Sequence, residues 1–362
     1  MPEALVLSGG GANGAYEVGV IKALTSGHSP GTGLRTPEIT AIAATSIGAF
    51  NAAVLLSHFN GRWHEAAAAL EAAWLHRISA AGATSANGVF RYRPNFTEWM
   101  NVSSLVADPM QSARELMGDA AFLARDWMAR MSGFASSTDG LVHRIAELID
   151  LSTFLTPEPS EALVSAMVKP KRLRTSPVAL RVTATAWRTG TLRVFSNADF
   201  TDEIGPSIVR ASGAIPGIFP SVTIEGEPYV DGGVVMNTPL KPAIDTGCDV
   251  LHVIYLDPAP GALPLRAVSS TIDAMGRMFV SSFAATMRRD LDVAGRINDN
   301  IDKGKKDGFK RIAIHLYHPL EDTGGALGML DFHRDHVTTL MELGYKNAAT
   351  HDCEKSGCLH VH

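Results

Sequence analysis

A serine placed between small residues is the first candidate for chemistry in this sequence. Ser46 lies in the segment Ala44-Thr45-Ser46-Ile47-Gly48, between a short apolar run and a stretch with helical character. A serine nucleophile on a sharp strand-to-helix turn needs small neighbours, because its backbone is strained. Gly48 meets that need, whereas Ala44 stands where glycine is usual two residues before the serine. Ser46 could instead cap the following helix, so the five residues alone leave both interpretations open.

A glycine-rich segment precedes this serine. It runs Gly9-Gly10-Gly11-Ala12-Asn13-Gly14 and follows the apolar run Ala4–Ser8. Glycines here let backbone N–H groups face a ligand, and the helix that follows adds its positive end. The segment also satisfies GxGxxG, which suggests a dinucleotide site. However, the second apolar run ends without the acidic residue that would hold the ribose. A tight turn that packs a helix on a strand is a third interpretation.

An acidic turn much later in the chain is the remaining candidate. Asp231 follows the strand-like Tyr229–Val230 and directly precedes Gly232 and Gly233. A carboxylate on a tight turn can reach across to a neighbouring loop. An Asp-Gly-Gly turn is also a common hairpin corner, so a structural role is equally open.

The elements around these motifs predict an α/β fold. Ala4–Ser8 and Ile39–Ala44 are apolar runs that each lead into a helical stretch, a pattern typical of a parallel sheet covered by helices. Long helices are predicted over Ala267–Asn300 and Phe332–Ala348. We therefore expect a mainly parallel central sheet flanked by helices. Further strands, the first two forming a hairpin, are predicted at Val178–Trp187, Leu192–Phe195, Val222–Ile224, Tyr229–Val230, Val250–Leu256 and Arg311–Leu316.

A single domain with additions is predicted over residues 1–362, in place of two independent domains. The middle of the chain shifts in composition towards Ala, Met, Trp, Leu and charge, with helical periods, as an insertion into an α/β core would. The predicted parts are an α/β core at 4–60 and 171–260, a helical insertion or cap at 61–170, a C-terminal strand and helices at 261–350, and a flexible tail at 351–362.

Taken together, the motifs resemble the patatin-like phospholipase family. Four segments occur in the family's order over roughly residues 4–260, and such agreement is improbable by chance. The resemblance implies a three-layer α/β/α fold. The segments that carry it are Gly9–Gly14, the turn at Ser46, Ala211–Pro220, and Asp231-Gly232-Gly233 with Asn237 and Pro239 beyond.

The resemblance also implies an activity, that of a serine acyl-hydrolase with a Ser–Asp dyad. Ser46 would attack the carboxyl ester of a lipid such as a phospholipid or lysophospholipid, and Asp231 would accept its proton. Backbone N–H groups of Gly10, Gly11 and Ala12 would hold the oxyanion. Neither a metal nor an organic cofactor is expected. The supporting motif positions are Gly9, Asn13, Gly14, Ala44, Thr45, Gly48, Gly232 and Gly233.

Two positions depart from the family pattern. Many members carry Arg where Asn13 stands and Gly where Ala44 stands. Asn13 would change how a phosphate or the loop itself is held, and Ala44 bears directly on the geometry of the turn. A non-catalytic lipid-binding relative therefore stays open. A dinucleotide-binding oxidoreductase using Gly9–Gly14 and a His-dependent acyltransferase are further alternatives.

The composition of the 362-residue chain restricts the class of protein and its partners. Apolar residues make up 46% of the sequence, which is enough for a buried core. The formal net charge of −5 gives no sign of a nucleic-acid binder. The partner that the family resemblance implies is a lipid or other acyl-ester substrate. The chain has three cysteines, too few for a disulfide framework in a protein of this size.

The N-terminal residues and the hydropathy pattern predict a cytoplasmic protein. The chain starts without the basic and long apolar regions of a signal peptide. No stretch reaches the roughly 18 uninterrupted apolar residues of a membrane span. Export by a route that needs no N-terminal signal stays open. The segment Ala121–Met131 has an apolar stripe with basic flanks, which suits transient contact with a membrane surface or, equally, the core of the cap.

The tail at 351–362 contains residue types that bind zinc. It holds two cysteines and three histidines, but a C-x4-C spacing with trailing histidines is not a standard zinc motif. We therefore predict a frayed, solvated chain end that binds metal only adventitiously.

Overall fold

The computed structural model describes residues 2–79, 88–92, 117, 155–156, 158–258, 271–304, 310–321, 323–324 and 328–359. The strands within these ranges are β1 (Glu3–Leu7), β2 (Ile39–Thr45), β3 (Arg91–Tyr92), β4 (Leu155–Thr156), β5 (Ala179–Ala186), β6 (Leu192–Ser196), β7 (Val222–Ile224), β8 (Glu227–Asp231), β9 (Val250–Ile254) and β10 (Ala313–Tyr317). The helices are α1 (Gly14–Thr25), α2 (Ile47–His58), α3 (Trp63–Ala73), α4 (Glu158–Met167), α5 (Pro170–Arg174), α6 (Gly205–Ser212), α7 (Gly233–Met236), α8 (Leu240–Ile244), α9 (Thr271–Asp302), α10 (Arg334–Ala349) and α11 (Cys353–Ser356).

One large sheet organises the described part of the chain. Its strand order is β10-β9-β1-β2-β5-β8-β7, and β6 pairs with β5 outside this path. The pairs from β10 through β5 are parallel, whereas β6, β7 and β8 join by antiparallel pairing. The hairpin predicted from the two β-branched runs is β5–β6. The prediction of a mainly parallel sheet is confirmed.

Both faces of the sheet are covered, because the central strands are apolar on both sides. Alternate residues of β1 and β2 belong to two separate clusters of buried side chains, and period-two alternation puts these on opposite faces. Helices α1, α2 and α10 contribute to one cluster, and α8 and α9 to the other. The chain thus has the three α/β/α layers that the resemblance implies. The first cluster includes Leu5, Leu7, Ile42 and Ala44, and the second Ala4, Val6, Ala41 and Ala43.

The predicted helical insertion at 61–170 lies largely outside the described residues. Its described ends are α3 and α4, and the stripe at Ala121–Met131 falls outside them. Of the helices in the described ranges, none is both long and apolar enough to cross a membrane.

The C-terminal segment differs from the flexible tail that the sequence predicts, at least through Leu359. Ile314 of β10 and Leu359 exchange backbone hydrogen bonds of 2.7 and 2.9 Å, which fix the segment to the edge of the sheet. His351 is buried. The prediction was wrong because β10 is an edge strand, whose free N–H and C=O groups offer pairing to any segment that returns beside it. The last three residues lie outside the described ranges.

Candidate active site

Ser46 and Asp231 meet because two strands share one edge of β5. Strand β6 occupies the opposite edge of β5, so β2 and β8 lie end to end along the remaining one. Thr45 at the end of β2 is opposite Thr183, and Asp231 at the end of β8 is opposite the next residue of β5. β2 runs parallel to β5 and β8 antiparallel, so their carboxyl ends face each other. Two residues 185 positions apart are thereby brought to one point.

Ser46 occupies the strained turn between β2 and α2. Its φ is 56° and its ψ is −124°, a combination that a residue with a side chain rarely adopts. The N–H of Ser46 donates a 2.8 Å hydrogen bond to Oγ of Ser212, which holds the turn. Glycine is required two residues later, since a Cβ on Gly48 would lie 2.7 Å from the carbonyl oxygen of Leu7. The turn places the serine hydroxyl at the end of the sheet, where Ser46 lines a pocket.

Ala44 is compatible with this turn. It lies in the regular part of β2, paired with Leu7 on one side and Val182 on the other. Its side chain is fully buried among apolar neighbours. The extra methyl group therefore belongs to the core and leaves the backbone at Ser46 in the strained conformation.

The Ser46 hydroxyl donates directly to the carboxylate of Asp231. The distance from Oγ to Oδ2 is 2.6 Å, and the other carboxylate oxygen accepts the N–H of Gly233 at 2.7 Å. Both side chains are buried. Burial raises the pKa of Asp231 to about 7, and the hydrogen bonds from Ser46 and Gly233 offset only part of that rise. A carboxylate in this state is a stronger base than an ordinary aspartate.

Ser212 is a functional residue that the sequence reasoning missed. It ends α6, inside the segment Ala211–Pro220 on which the resemblance partly depends. Its hydroxyl accepts the N–H of Ser46, and its carbonyl accepts the N–H of Gly232 at 3.3 Å. One residue therefore holds the backbones of both turns. The position of Ser212 in that segment was a sequence signal that it matters. A serine at the end of a helix does not by itself indicate which role it has.

The glycine-rich loop is fixed beside Ser46 by Asn237. The N–H of Gly9 donates to the backbone oxygen of Asn237 at 3.2 Å, and the Asn237 amide returns a 3.1 Å bond to the Gly9 oxygen. A Cβ on Gly9 would lie 2.9 Å from Cβ of Ser46 and would collide with the Asn237 side chain. Gly14, which begins α1, packs equally closely on Ile47. Close packing against the Ser46 turn explains these glycines without a dinucleotide.

The backbone N–H groups of Gly10, Gly11 and Ala12, which are the expected oxyanion donors, differ in whether another group already accepts their hydrogen bond. The N–H of Ala12 donates a 2.8 Å hydrogen bond to the carbonyl of Met329, so the prediction for Ala12 needs correction in this structure. The sequence offered no sign of this, because Met329 lies beyond the segments that carry the resemblance. Within the described ranges, the N–H groups of Gly10 and Gly11 have no recorded acceptor. Gly11 lines the same pocket as Ser46.

The side chains of Asn13 and Thr45 form hydrogen bonds to segments next to the site. The Asn13 side chain is buried and donates a 3.1 Å hydrogen bond to Oγ1 of Thr323, which ties the glycine loop to the C-terminal region. Oγ1 of Thr45 lies 2.6 Å from that of Thr183 and also bonds the Met236 carbonyl at 3.0 Å. Neither side chain contacts Ser46 among the recorded hydrogen bonds of the described residues.

A mostly apolar pocket opens over Ser46. The open space within it, with the solvent at its mouth included, is about 870 Å³. Arg210 is a charged residue on its wall and is paired with Glu161. The apolar part of the wall includes Phe50, Leu163, Val209, Phe219, Leu330 and Phe332.

Two buried histidines, one within β9 and one directly after β10, have other partners. Nε2 of His252 lies 2.7 Å from Oε2 of Glu3, and Nδ1 of His318 lies 2.9 Å from the carbonyl of Pro319. The recorded side-chain partner of the Ser46 hydroxyl is Asp231, so the described residues offer a dyad and no histidine beside it. This arrangement can transfer a proton from a hydroxyl nucleophile to a carboxylate.

Comparison with protein families gives a match over the part of the chain that contains Ser46 and Asp231. The family profile described as patatin-like phospholipase matches residues 5–244. Among solved structures, one match is the crystal structure of VipD from Legionella pneumophila, with 14% sequence identity and a TM-score of 0.34. The match covers 94% of this chain, which spans 66% of the length of that one. No curated protein matches the sequence.

Proposed function

The chain belongs to the patatin-like phospholipase family, and we propose that it hydrolyses carboxyl esters of lipids with Ser46 as nucleophile and Asp231 as general base. The observation that carries this proposal is the 2.6 Å hydrogen bond from the strained Ser46 to the buried carboxylate. Membership of the family supports the general statement that the chain is a lipid hydrolase. The dyad and the oxyanion donors are the specific part of the proposal.

In the first half of the reaction, Oγ of Ser46 attacks the ester carbonyl while its proton passes to Oδ2 of Asp231. The negative charge that develops on the carbonyl oxygen is held by the N–H groups of Gly10 and Gly11. Donors fixed in advance in this way lower the activation barrier by about 3–4 kcal/mol each. As the tetrahedral intermediate collapses, the leaving alcohol takes the proton from Asp231, and the acyl group stays on Ser46.

In the second half, water attacks the acyl-serine and gives its proton to Asp231. Collapse of the second intermediate returns a proton to Ser46 and releases the carboxylic acid. The pKa of about 7 suits Asp231 to this role, because the group must accept and release a proton in turn near neutral pH. Gly233 keeps the other carboxylate oxygen in place through both steps.

The pocket over Ser46 supports an acyl chain as the bound group. Its walls are mostly apolar, and burial of CH₂ groups contributes roughly 0.8 kcal/mol each. The carbonyl end would lie at Ser46 and Gly11, which both line the pocket. The positive charge of Arg210 on the pocket wall is already paired with Glu161, so a charged head group is not required to neutralise it.

A non-catalytic lipid-binding relative is the second candidate, since the same pocket would suit it. The strained φ of Ser46 and the short bond to Asp231 favour catalysis. Strain of this kind costs of order 1–3 kcal/mol, and it persists chiefly where a site uses it. The bond from Ala12 to Met329 favours the binder, because it occupies one expected oxyanion donor.

A fluorophosphonate probe separates the two candidates. We expect it to label wild-type protein at Ser46, and Ser46→Ala to lose both the label and the hydrolysis of a medium-chain ester. Ser281→Ala, at an exposed serine of α9, is the matched control and should behave as wild type. If the wild type stays unlabelled, or Ser46→Ala is labelled equally, the hydrolase proposal fails. Binding of a fatty acid without labelling would then identify a lipid binder.

A further inference from the structure

Four side chains with metal-binding atoms converge at the edge of the sheet formed by β10. They are His315 on β10 and three residues of the C-terminal segment, His351, Cys353 and Cys358. One ligand atom from each lies within 4.8 Å of all the others. We propose that these four residues bind one zinc ion as a tetrahedral Cys₂His₂ site. The proposal is independent of the dyad at Ser46.

The backbone places the two cysteines together. Cys353 is the first residue of the single turn of α11, and Cys358 follows Gly357 just beyond it. The N–H of Cys358 donates a 3.0 Å hydrogen bond to the carbonyl of Cys353. Asp352 caps this turn by accepting the N–H groups of Glu354 and Lys355 at 3.1 and 3.3 Å. Gly357 closes it with a φ of 71°. Both thiols therefore point to the same side of a rigid turn.

Two sulfur–nitrogen distances in the group are close to those of a tetrahedral zinc site. Sγ of Cys353 lies 3.6 Å from Nδ1 of His315, and Sγ of Cys358 lies 3.3 Å from Nε2 of His351. In a tetrahedral site with Zn–S near 2.3 Å and Zn–N near 2.0–2.1 Å, a sulfur and a nitrogen are about 3.6 Å apart. Thiolate and imidazole together are the ligand set that zinc prefers, whereas magnesium and calcium take oxygen.

Groups around the cluster orient its ligands. The N–H of Leu316 donates to Sγ of Cys358 at 3.2 Å, which fixes the position of this sulfur. The Ser356 hydroxyl lies 3.5 Å from Nδ1 of His351, the ring nitrogen that the metal would leave free. The ring of His315 stacks on that of His252 with centroids 5.3 Å apart. Outer groups of this kind are a usual part of metal sites, where they set ring orientation and tautomer.

The site would be structural in kind. Four protein ligands leave no open position for water or substrate, as in structural zinc sites. Two thiolates also balance the charge of the ion at a position that is partly buried. The metal would fasten residues 351–359 to β10 and so close the exposed edge of the sheet, in addition to the backbone pairing of Leu359 with Ile314.

The test measures zinc in the reduced full-length chain, produced without a histidine tag and freed of loosely bound metal. We expect about one zinc ion per chain in the wild type, and a strong loss in the double variant Cys353→Ser, Cys358→Ser. Cys248→Ala is the matched control, because Cys248 is a buried cysteine that is not one of the four proposed ligands, and its loss should leave the zinc content unchanged. Ser46→Ala should also keep its zinc, which separates this proposal from the enzymatic one. A chain that ends at Leu359 should keep it too.

Cobalt titration of the wild type covers the case in which the double variant fails to fold. Cobalt(II) in place of zinc should give the intense visible absorption of a tetrahedral site with thiolate charge-transfer bands, and His351→Ala should shift it. The proposal is overturned if the wild type holds no zinc and gives no such spectrum. It is equally overturned if the double cysteine variant retains zinc, or if Cys353 and Cys358 form a disulfide under reducing conditions.

Discussion

Replacing Asp231 by asparagine should abolish turnover and at the same time stabilise the fold, by an amount that grows with pH. The carboxyl group is buried at the end of β8, and its pKa rises from 3.8 to about 7 on folding, chiefly because burial penalises the charged form. Asparagine keeps the shape and an oxygen that can accept the N–H of Gly233, but it carries no charge and cannot accept the proton of Ser46.

The sign and size of the stability effect follow from the raised pKa. A carboxyl group that binds its proton more tightly in the folded state destabilises the fold as it ionises. Below pH 3.8 both states are protonated, so the cost is absent, and it grows by about 1.4 kcal/mol per pH unit until pH 7. It then stays near 4 kcal/mol, as an order of magnitude. Between about pH 5 and pH 8 the advantage of Asp231→Asn should therefore widen by about 3 kcal/mol.

Urea unfolding of both proteins at several pH values between these limits measures the effect. The test depends on how the difference in the free energy of unfolding between the two proteins changes with pH. Repacking of the amide shifts this difference by the same amount at every pH. Ser281→Ala, at an exposed serine of α9, is the control, since it keeps the Asp231 carboxyl group and its hydrogen bonds and should follow the wild-type trend. A difference between Asp231→Asn and wild type that stays constant with pH would refute the raised pKa. Undiminished esterase activity of the variant would refute the role of Asp231 as base.

Three further outcomes are expected. The value of kcat/KM should fall about tenfold per unit as pH drops below about 7, because protonated Asp231 cannot act as a base; a flat profile on a neutral ester would contradict this. Gly9→Ala should lower kcat strongly, since the new Cβ would lie 2.9 Å from Cβ of Ser46, whereas Gly295→Ala has its nearest neighbour at 3.7 Å and should leave kcat unchanged. Equal kinetics for these two variants would show that the close approach is unimportant. Ser212→Ala removes the acceptor for a buried N–H, which costs about 1–3 kcal/mol, so we expect kcat to fall by about tenfold to a hundredfold with little change in KM; an unchanged kcat would argue against this hydrogen bond.

The sequence by itself predicts the parts of the site that depend on local chemistry. A serine after an apolar strand and before Gly48 indicates a sharp turn, because only small residues fit there. A carboxylate before two glycines indicates another turn, at Asp231. The strands are visible for the same reason, since period-two alternation and apolar runs are properties of neighbouring residues. These local signals, together with the order of the motifs, were sufficient for the family and the three-layer fold.

Other features were decided only by the tertiary structure. That β2 and β8 share one edge of β5 depends on strand register across the whole sheet, and this register brings Ser46 to Asp231. Packing also gives Ser212 its two hydrogen bonds and engages the N–H of Ala12 with Met329. The C-terminal segment is similar, since its residues suggest a solvated tail until the free edge of β10 is known. Local sequence encodes conformation, whereas the partner of each polar group is set by contacts between residues far apart in the chain.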